Sequence, residues 1–208
     1  GAPRERPRLM MSPLHALKHE VDRWQWRWRN ADRVVGHWTS LRQAPRLLGV
    51  LDELRREGIA VRPWTELFPE RADEVARAQQ RAETLWDQAR RAPGNGREQG
   101  AATATYHQDY KATLLPQTLR VDEEPLFSLA LDPHLLVLAS HYLGMRPLLR
   151  SIDVWWDYPT PGPAKKTQLW HRDGDDLLNL KVFVCVTDVT PSSGPFCYIP
   201  KTHPMGSL

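Results

Sequence analysis

The stretch Leu169-Trp170-His171-Arg172-Asp173-Gly174-Asp175-Asp176 holds the residue types best suited to chemistry in this chain. In an extended segment, residues i and i+2 point to one side, so His171 and Asp173 aim an imidazole and a carboxylate at a single point. One histidine nitrogen and one carboxylate are two-thirds of the 2-His-1-carboxylate triad that holds non-haem Fe(II) and leaves three positions open. Two of those positions suit a chelating 2-oxoacid and the third suits dioxygen. The alternative for the same residues is a surface turn in which Asp173 merely caps the His171 ring. A second His-x-Asp, His107-Gln108-Asp109, lies in a polar stretch without flanking alternation, and its spacing is read as chance.

Elements must position such a pair. Ser12-Pro13 reads as a helix start, with a hydroxyl cap followed by proline at the first helical position, and the helix is expected over about 13–29. Leu47, Leu48, Leu51 and Leu54 place a second helix at about 45–57, closed by Gly58. Ile59-Ala60-Val61 reads as a short strand. A third helix is expected over about 69–91, opened by Pro69-Glu70 and ended at Pro93-Gly94-Asn95-Gly96. Residues 97–119 are polar and read as a mobile loop. Asp132-Pro133 starts a helix over 133–143 that stops at Gly144.

Beyond Gly144 the hydrophobic period changes from about 3.6 to about 2. Ser151–Tyr158, Thr167–Asp173, Asn179–Asp188 and Gly194–Pro200 are expected as four strands of an antiparallel sandwich or barrel. The fold class is therefore α+β. Its helical N-terminal region is expected over 1–130, and a partial antiparallel sandwich or barrel over 131–208.

Several runs in that second region occur in an order that resembles a known family. They are Tyr142-Leu143-Gly144, Asp153-Val154-Trp155-Trp156, Gln168-Leu169-Trp170-His171-Arg172-Asp173, Val182–Val189 and Ser193–His203. The segment from about 132 to 205 resembles the phytanoyl-CoA dioxygenase family of Fe(II)- and 2-oxoglutarate-dependent oxygenases, with Lys201-Thr202 where the family usually has Gly-Ser. The resemblance implies that the partial barrel is a double-stranded β-helix of jelly-roll or cupin-like form, with iron at one open end, His171 and Asp173 as the first two ligands, and 2-oxoglutarate as cosubstrate. It also implies a distal histidine ligand and a cosubstrate-anchoring arginine that come later than Leu208. His203 falls on a signature histidine that is not the family's distal ligand and is read as structural, with metal ligation as the lesser alternative. Eight strands at roughly 8–12 residues each need about 64–96 residues, and four are counted here. The chain is thus expected to be a fragment, open at both ends, with weak iron binding and little turnover.

Other residues around the pair are less determined. Lys181 alternates with Val182 and Val184 and meets either a 2-oxoglutarate carboxylate or water. Phe183 and Cys185 share its face and are expected to line the pocket. Strict alternation points Gln168 away from His171, and Asp175 and Asp176 are read as caps of the following turn. Cys185 and Cys197 are read as buried apolar residues rather than nucleophiles.

Composition excludes several classes. With 41% hydrophobic and 25% charged residues the 208-residue chain is globular. It has no apolar run long enough for a membrane span and no secretory leader pattern. Two cysteines cannot staple a fold of this size, so a reducing, cytoplasmic setting is expected. The net charge of +3 is uneven: residues 1–48 hold 10 Lys/Arg against 4 Asp/Glu, and the remainder hold 18 against 21. Trp24, Trp26, Trp28 and Trp38 are interleaved with Arg23, Arg27, Arg29 and Arg33 in the basic end. Such a segment packs by its indoles or stacks on bases. Two functions follow: an oxygenase acting on a small organic or lipid-like substrate with dioxygen, or a non-catalytic jelly-roll module whose N-terminus contacts a partner. Nucleic acid is the less favoured partner.

Overall fold

Asp132 begins the best-defined helix. Its carboxylate accepts hydrogen bonds from the backbone N–H of His134 at 2.8 Å and of Leu135 at 3.2 Å, which fills the orphan donors of a helix start. In a computed structural model of the chain, the helix so capped runs Pro133–Leu143 and ends at Gly144, whose φ of 68° is left-handed. The structure describes residues 13–40, 47–91, 107–108, 111–115, 124–157, 162–164, 166–173 and 176–203. The helices are α1 (Pro13–Arg29), α2 (Ala31–Ser40), α3 (Leu48–Glu57), α4 (Trp64–Leu67), α5 (Ala72–Arg91), α6 (Pro125–Ala130) and α7 (Pro133–Leu143). A 3-10 turn, Pro69–Arg71, leads into α5.

Two cores hold α3 to α7. Val50, Leu51 and Leu54 of α3 face Leu135, Leu138 and Tyr142 of α7, with Leu47 and Phe68 closing the cluster. Spacings of three and four residues place each set on one helical face, and burying such side chains drives the pairing. Arg71 Nε lies 3.0 Å from the buried Asp132 Oδ2 and ties the entry of α5 to the start of α7. The second core joins Ala78 and Leu85 of α5, Leu126 and Leu129 of α6, and Ala112, Leu114 and Leu115. The buried Glu124 supports it: its carboxylate pairs with Arg81 at 2.9 Å and accepts from Leu126 N.

A small antiparallel sheet of three strands, β1 (His107–Gln108), β2 (Lys111–Thr113) and β3 (Trp155–Asp157), covers this second core. The register sets Lys111 opposite Asp157, Ala112 opposite Trp156 and Thr113 opposite Trp155. Trp156 stacks on Trp86 of α5 with ring centroids 3.6 Å apart, which fixes the sheet to the helix.

The sheet corrects the sequence reading in three places. Strands β1 and β2 fall inside the stretch expected to be a loop; residues 97–106, 109–110 and 116–119 lie outside the described residues. Ile59–Val61 makes no ladder. Of the four strands expected after Gly144, β3 alone is paired. Residues 167–173, 179–188 and 194–200 carry no strand pairing among the described residues, and Lys166–Gln168 is a 3-10 turn. Alternation marks a backbone with two faces, but a strand also needs a partner edge, and none runs alongside these segments among the described residues. The architecture is mixed, helical with a small sheet. Among the described residues, no helix is long and apolar enough to cross a membrane.

His37 joins α2 to α7. Its Nδ1 lies 2.8 Å from Ser140 Oγ, and the Ser140 hydroxyl donates to the Met145 carbonyl at 3.1 Å, so the imidazole N–H donates to the serine. Burial and then the nearby His141 ring hold the His37 pKa below its ordinary 6.5. A lowered histidine pKa means the folded state prefers the neutral ring. That stability is present above pH 6.5 and is lost as pH falls through the folded value. Melting temperature should therefore drop on acidification from about pH 7.5 to 5.5, and His37→Gln should flatten part of that slope. Equal slopes would remove His37 from the account.

Candidate functional site

The segment that carries the candidate pair leaves the 3-10 turn Lys166–Gln168, where Leu169 N donates to Lys166 O at 3.0 Å. Lys166 itself adopts a φ of 52°, and Leu169 and Trp170 then emerge exposed. A turn rather than a strand therefore delivers His171 and Asp173. The pair still converges: His171 Nε2 is 3.7 Å from Asp173 Oδ1.

The rest of the imidazole is committed. His171 Nδ1 lies 2.7 Å from the Leu169 carbonyl oxygen. A carbonyl only accepts, so Nδ1 carries a proton, and in the neutral ring Nε2 presents a lone pair. Metal-binding histidines are characteristically held in this way, with the far ring N–H on a backbone carbonyl. Two donors about 2.1 Å from one ion lie about 3.0 Å apart at a right angle, so 3.7 Å is closed by a shift below about 1 Å. These two side chains present two of the donors such an ion needs. Both side chains are about two-fifths exposed, at 43% and 41%, so the site opens to solvent.

Lys181 reaches the same carboxylate. Its Nζ lies 2.6 Å from Asp173 Oδ2, which turns Oδ1 toward the imidazole. At this exposure the ion pair is worth about 0.2–1 kcal/mol, so it orients the carboxylate without locking it. Phe183, two residues on, is half exposed. Its ring lies 5.0 Å from Phe196 and 6.2 Å from Trp155, forming an aromatic strip whose Trp155 end sits beneath Lys111 Nζ at 3.9 Å. Cys185 and Cys197 are both exposed, against the expectation that they are buried. Apolar character alone did not place them inside, because the segments around them pack on nothing that covers them among the described residues.

His203 is engaged elsewhere. Its Nε2 lies 3.0 Å from the Arg55 carbonyl oxygen, and Lys201 N donates to Glu57 O at 2.8 Å. The segment 198–203 thus closes the C-terminal end of α3, satisfying carbonyls that a helix leaves unpaired. Among the described residues, no group of three or more His, Cys, Asp or Glu side chains is arranged to hold a metal ion. Of the chance copy, His107 lies in β1 and Asp109 lies outside the described residues.

One contact had no sequence signal. Trp26 Nε1 of α1 donates to Asp176 Oδ1 at 2.6 Å, joining the tryptophan-rich helix to the chain three residues past Asp173. The same oxygen accepts from Leu177 N at 2.7 Å, which is the expected turn cap. The partners are 150 residues apart, and nothing local in either segment points to the other.

A family profile described as Phytanoyl-CoA dioxygenase (PhyH) matches residues 59–207. The match takes in α4 through α7 as well as the whole segment from β3 to His203. No curated protein and no solved structure matches the chain.

Proposed function

Because the chain belongs to the phytanoyl-CoA dioxygenase family, we propose that it is an Fe(II)- and 2-oxoglutarate-dependent dioxygenase that hydroxylates a small organic or lipid-like substrate. His171 and Asp173 are two of the iron ligands in this reading, and 131–208 contributes part of a double-stranded β-helix behind a helical region over 1–130. The compartment that suits its two unpaired, exposed cysteines is the reducing cytoplasm.

The observation that carries the reading is the state of His171. The Leu169 carbonyl fixes the tautomer and leaves Nε2 bare, 3.7 Å from Asp173 Oδ1. Fe(II) held by His171 and Asp173 would supply, with 2-oxoglutarate and dioxygen, the oxidising power for hydroxylation. The chain's own groups do the holding. Lys181 orients the carboxylate through Oδ2, and its ammonium adds a positive charge beside an anionic chelator. Phe183, with Trp155 and Phe196, offers an apolar wall against which a hydrocarbon chain or ring can exclude water.

Equilibrium dialysis against Fe(II) without dioxygen tests the ligand assignment. His171→Ala and Asp173→Ala should each lower retained iron by at least about tenfold relative to the unaltered chain. Retention that is the same in all three proteins sinks the assignment.

A further inference from the structure

Among the described residues, the side-chain bond that ties α1 to the rest of the chain lies on one side of the helix. Trp26 makes the bond to Asp176, and Asn30, just past the helix, donates to the Trp26 carbonyl at 2.8 Å. The opposite side carries Leu17, Val21, Trp24 and Trp28, which are 63%, 45%, 65% and 71% exposed. Their spacings of four, three and four residues are those of the apolar seam of a coiled coil. Trp24 and Trp28 stack on each other with centroids 5.9 Å apart and planes 9° apart, so the seam ends in a flat indole platform. A contiguous apolar stripe of this kind marks an interaction surface.

We propose that this face is a self-association seam, and that two copies of the chain pair their α1 helices in antiparallel orientation. Antiparallel pairing sets Val21 opposite Trp24 of the second copy and Leu17 opposite Trp28, so each large ring meets a smaller aliphatic side chain. The same register brings Glu20, which flanks the seam, beside Arg27 of the second copy, and two-fold symmetry makes that contact twice. Parallel pairing within α1 would give Glu20 only Gln25. Among the described residues Glu20 pairs with Arg23, at 3.7 Å, a contact between exposed side chains that is readily exchanged. The flanks of the stripe are of mixed sign, Glu20 alongside Lys18 and Arg27, which suits a self-complementary protein face.

Sedimentation velocity on the full chain tests the proposal at about 1–100 µM. The chain should shift from monomer to dimer over that range. Trp24→Glu should leave it monomeric with unchanged helix content by circular dichroism, since the side chain is exposed. Glu20→Arg should weaken the dimer by about fivefold or more, and the double variant Glu20→Arg/Arg27→Glu should restore it. The double variant decides the matter if Trp24→Glu loses helix. A chain that stays monomeric overturns the proposal, as does a dimer indifferent to these substitutions. Flotation with phosphatidylcholine/phosphatidylserine vesicles, lost in Trp24→Glu and unaccompanied by self-association, also overturns it and assigns the stripe to a lipid surface.

Discussion

Gly58→Ala is expected to lower the stability of the chain by about 3 kcal/mol, through two independent costs. Gly58 ends α3 with a φ of 80°, a conformation that costs an L side chain roughly 1–2 kcal/mol. A Cβ there would also run into the Tyr198 hydroxyl and the His203 ring, both closer than any ordinary contact. Neither is the loose end of a flexible chain. His203 is held on Arg55 O, and Lys201 N on Glu57 O, so relief of the clash means lifting 198–203 off the end of α3. Two other glycines separate the two costs. Gly144 has a φ of 68° with open space at its Cβ position, so Gly144→Ala should pay the backbone strain alone. Gly49 lies inside α3 with nothing within 4 Å, and Gly49→Ala should be neutral or stabilising by up to about 1 kcal/mol. Chemical denaturation of the three variants should rank Gly58 worst, Gly144 intermediate and Gly49 best. A Gly58→Ala protein no weaker than Gly144→Ala would show that the docked segment contributes nothing.

Asp132→Ala is expected to cost about 2–4 kcal/mol, because one buried carboxylate serves two purposes. Oδ1 caps α7 and Oδ2 faces Arg71, while the residue is only 1% exposed. Alanine removes the cap, worth about 1 kcal/mol, and leaves the Arg71 guanidinium beside a buried void. Arg71 is one-third exposed and also pairs with Glu74, so it recovers part of its solvation, and the loss falls short of that for a fully buried pair. Asp132→Asn keeps an oxygen at the cap position but turns an amide NH2 donor toward the Arg71 N–H, so it loses the ion pair and keeps the cap, and should cost about 1 kcal/mol less than alanine. Thermal unfolding distinguishes the variants: at this size each 1 kcal/mol corresponds to about 2–4 °C. Equal losses in the two variants would assign the whole effect to the ion pair and none to the cap.

Both residues were legible as punctuation in the sequence, and the reason is physical. Asp-Pro before an apolar run, and glycine after one, act through backbone groups within a few residues, so α3, α5 and α7 were readable from local chemistry. The helix α6 was not, because six residues show no period and its cap is a glutamate, outside the usual set. Strands were the hardest. The pairing of Lys111–Thr113 with Trp155–Asp157 depends on two segments far apart in the chain, while the longer alternating run Asn179–Asp188 has no partner edge among the described residues. At the candidate site, the i, i+2 spacing was enough to bring His171 and Asp173 together, even though a turn and not a strand delivers them. The groups that orient the pair are the Leu169 carbonyl and Lys181. The backbone group has no residue-type signature, and the lysine's direction was open until the chain path was known. The anchoring of His203 on Arg55, 148 residues away, was equally out of reach of spacing.

The central claim is that His171 and Asp173 hold Fe(II) in a form that 2-oxoglutarate completes. An anaerobic Fe(II) titration with and without 2-oxoglutarate measures it directly. If both bind the same centre, each must tighten the other by the same factor, because the coupling is reciprocal. The unaltered chain should bind Fe(II) more tightly when 2-oxoglutarate is present, by about fivefold or more. His171→Ala and Asp173→Ala should lose both the affinity and the coupling. Fe(II) affinity that ignores 2-oxoglutarate and is unchanged in both variants would contradict the account.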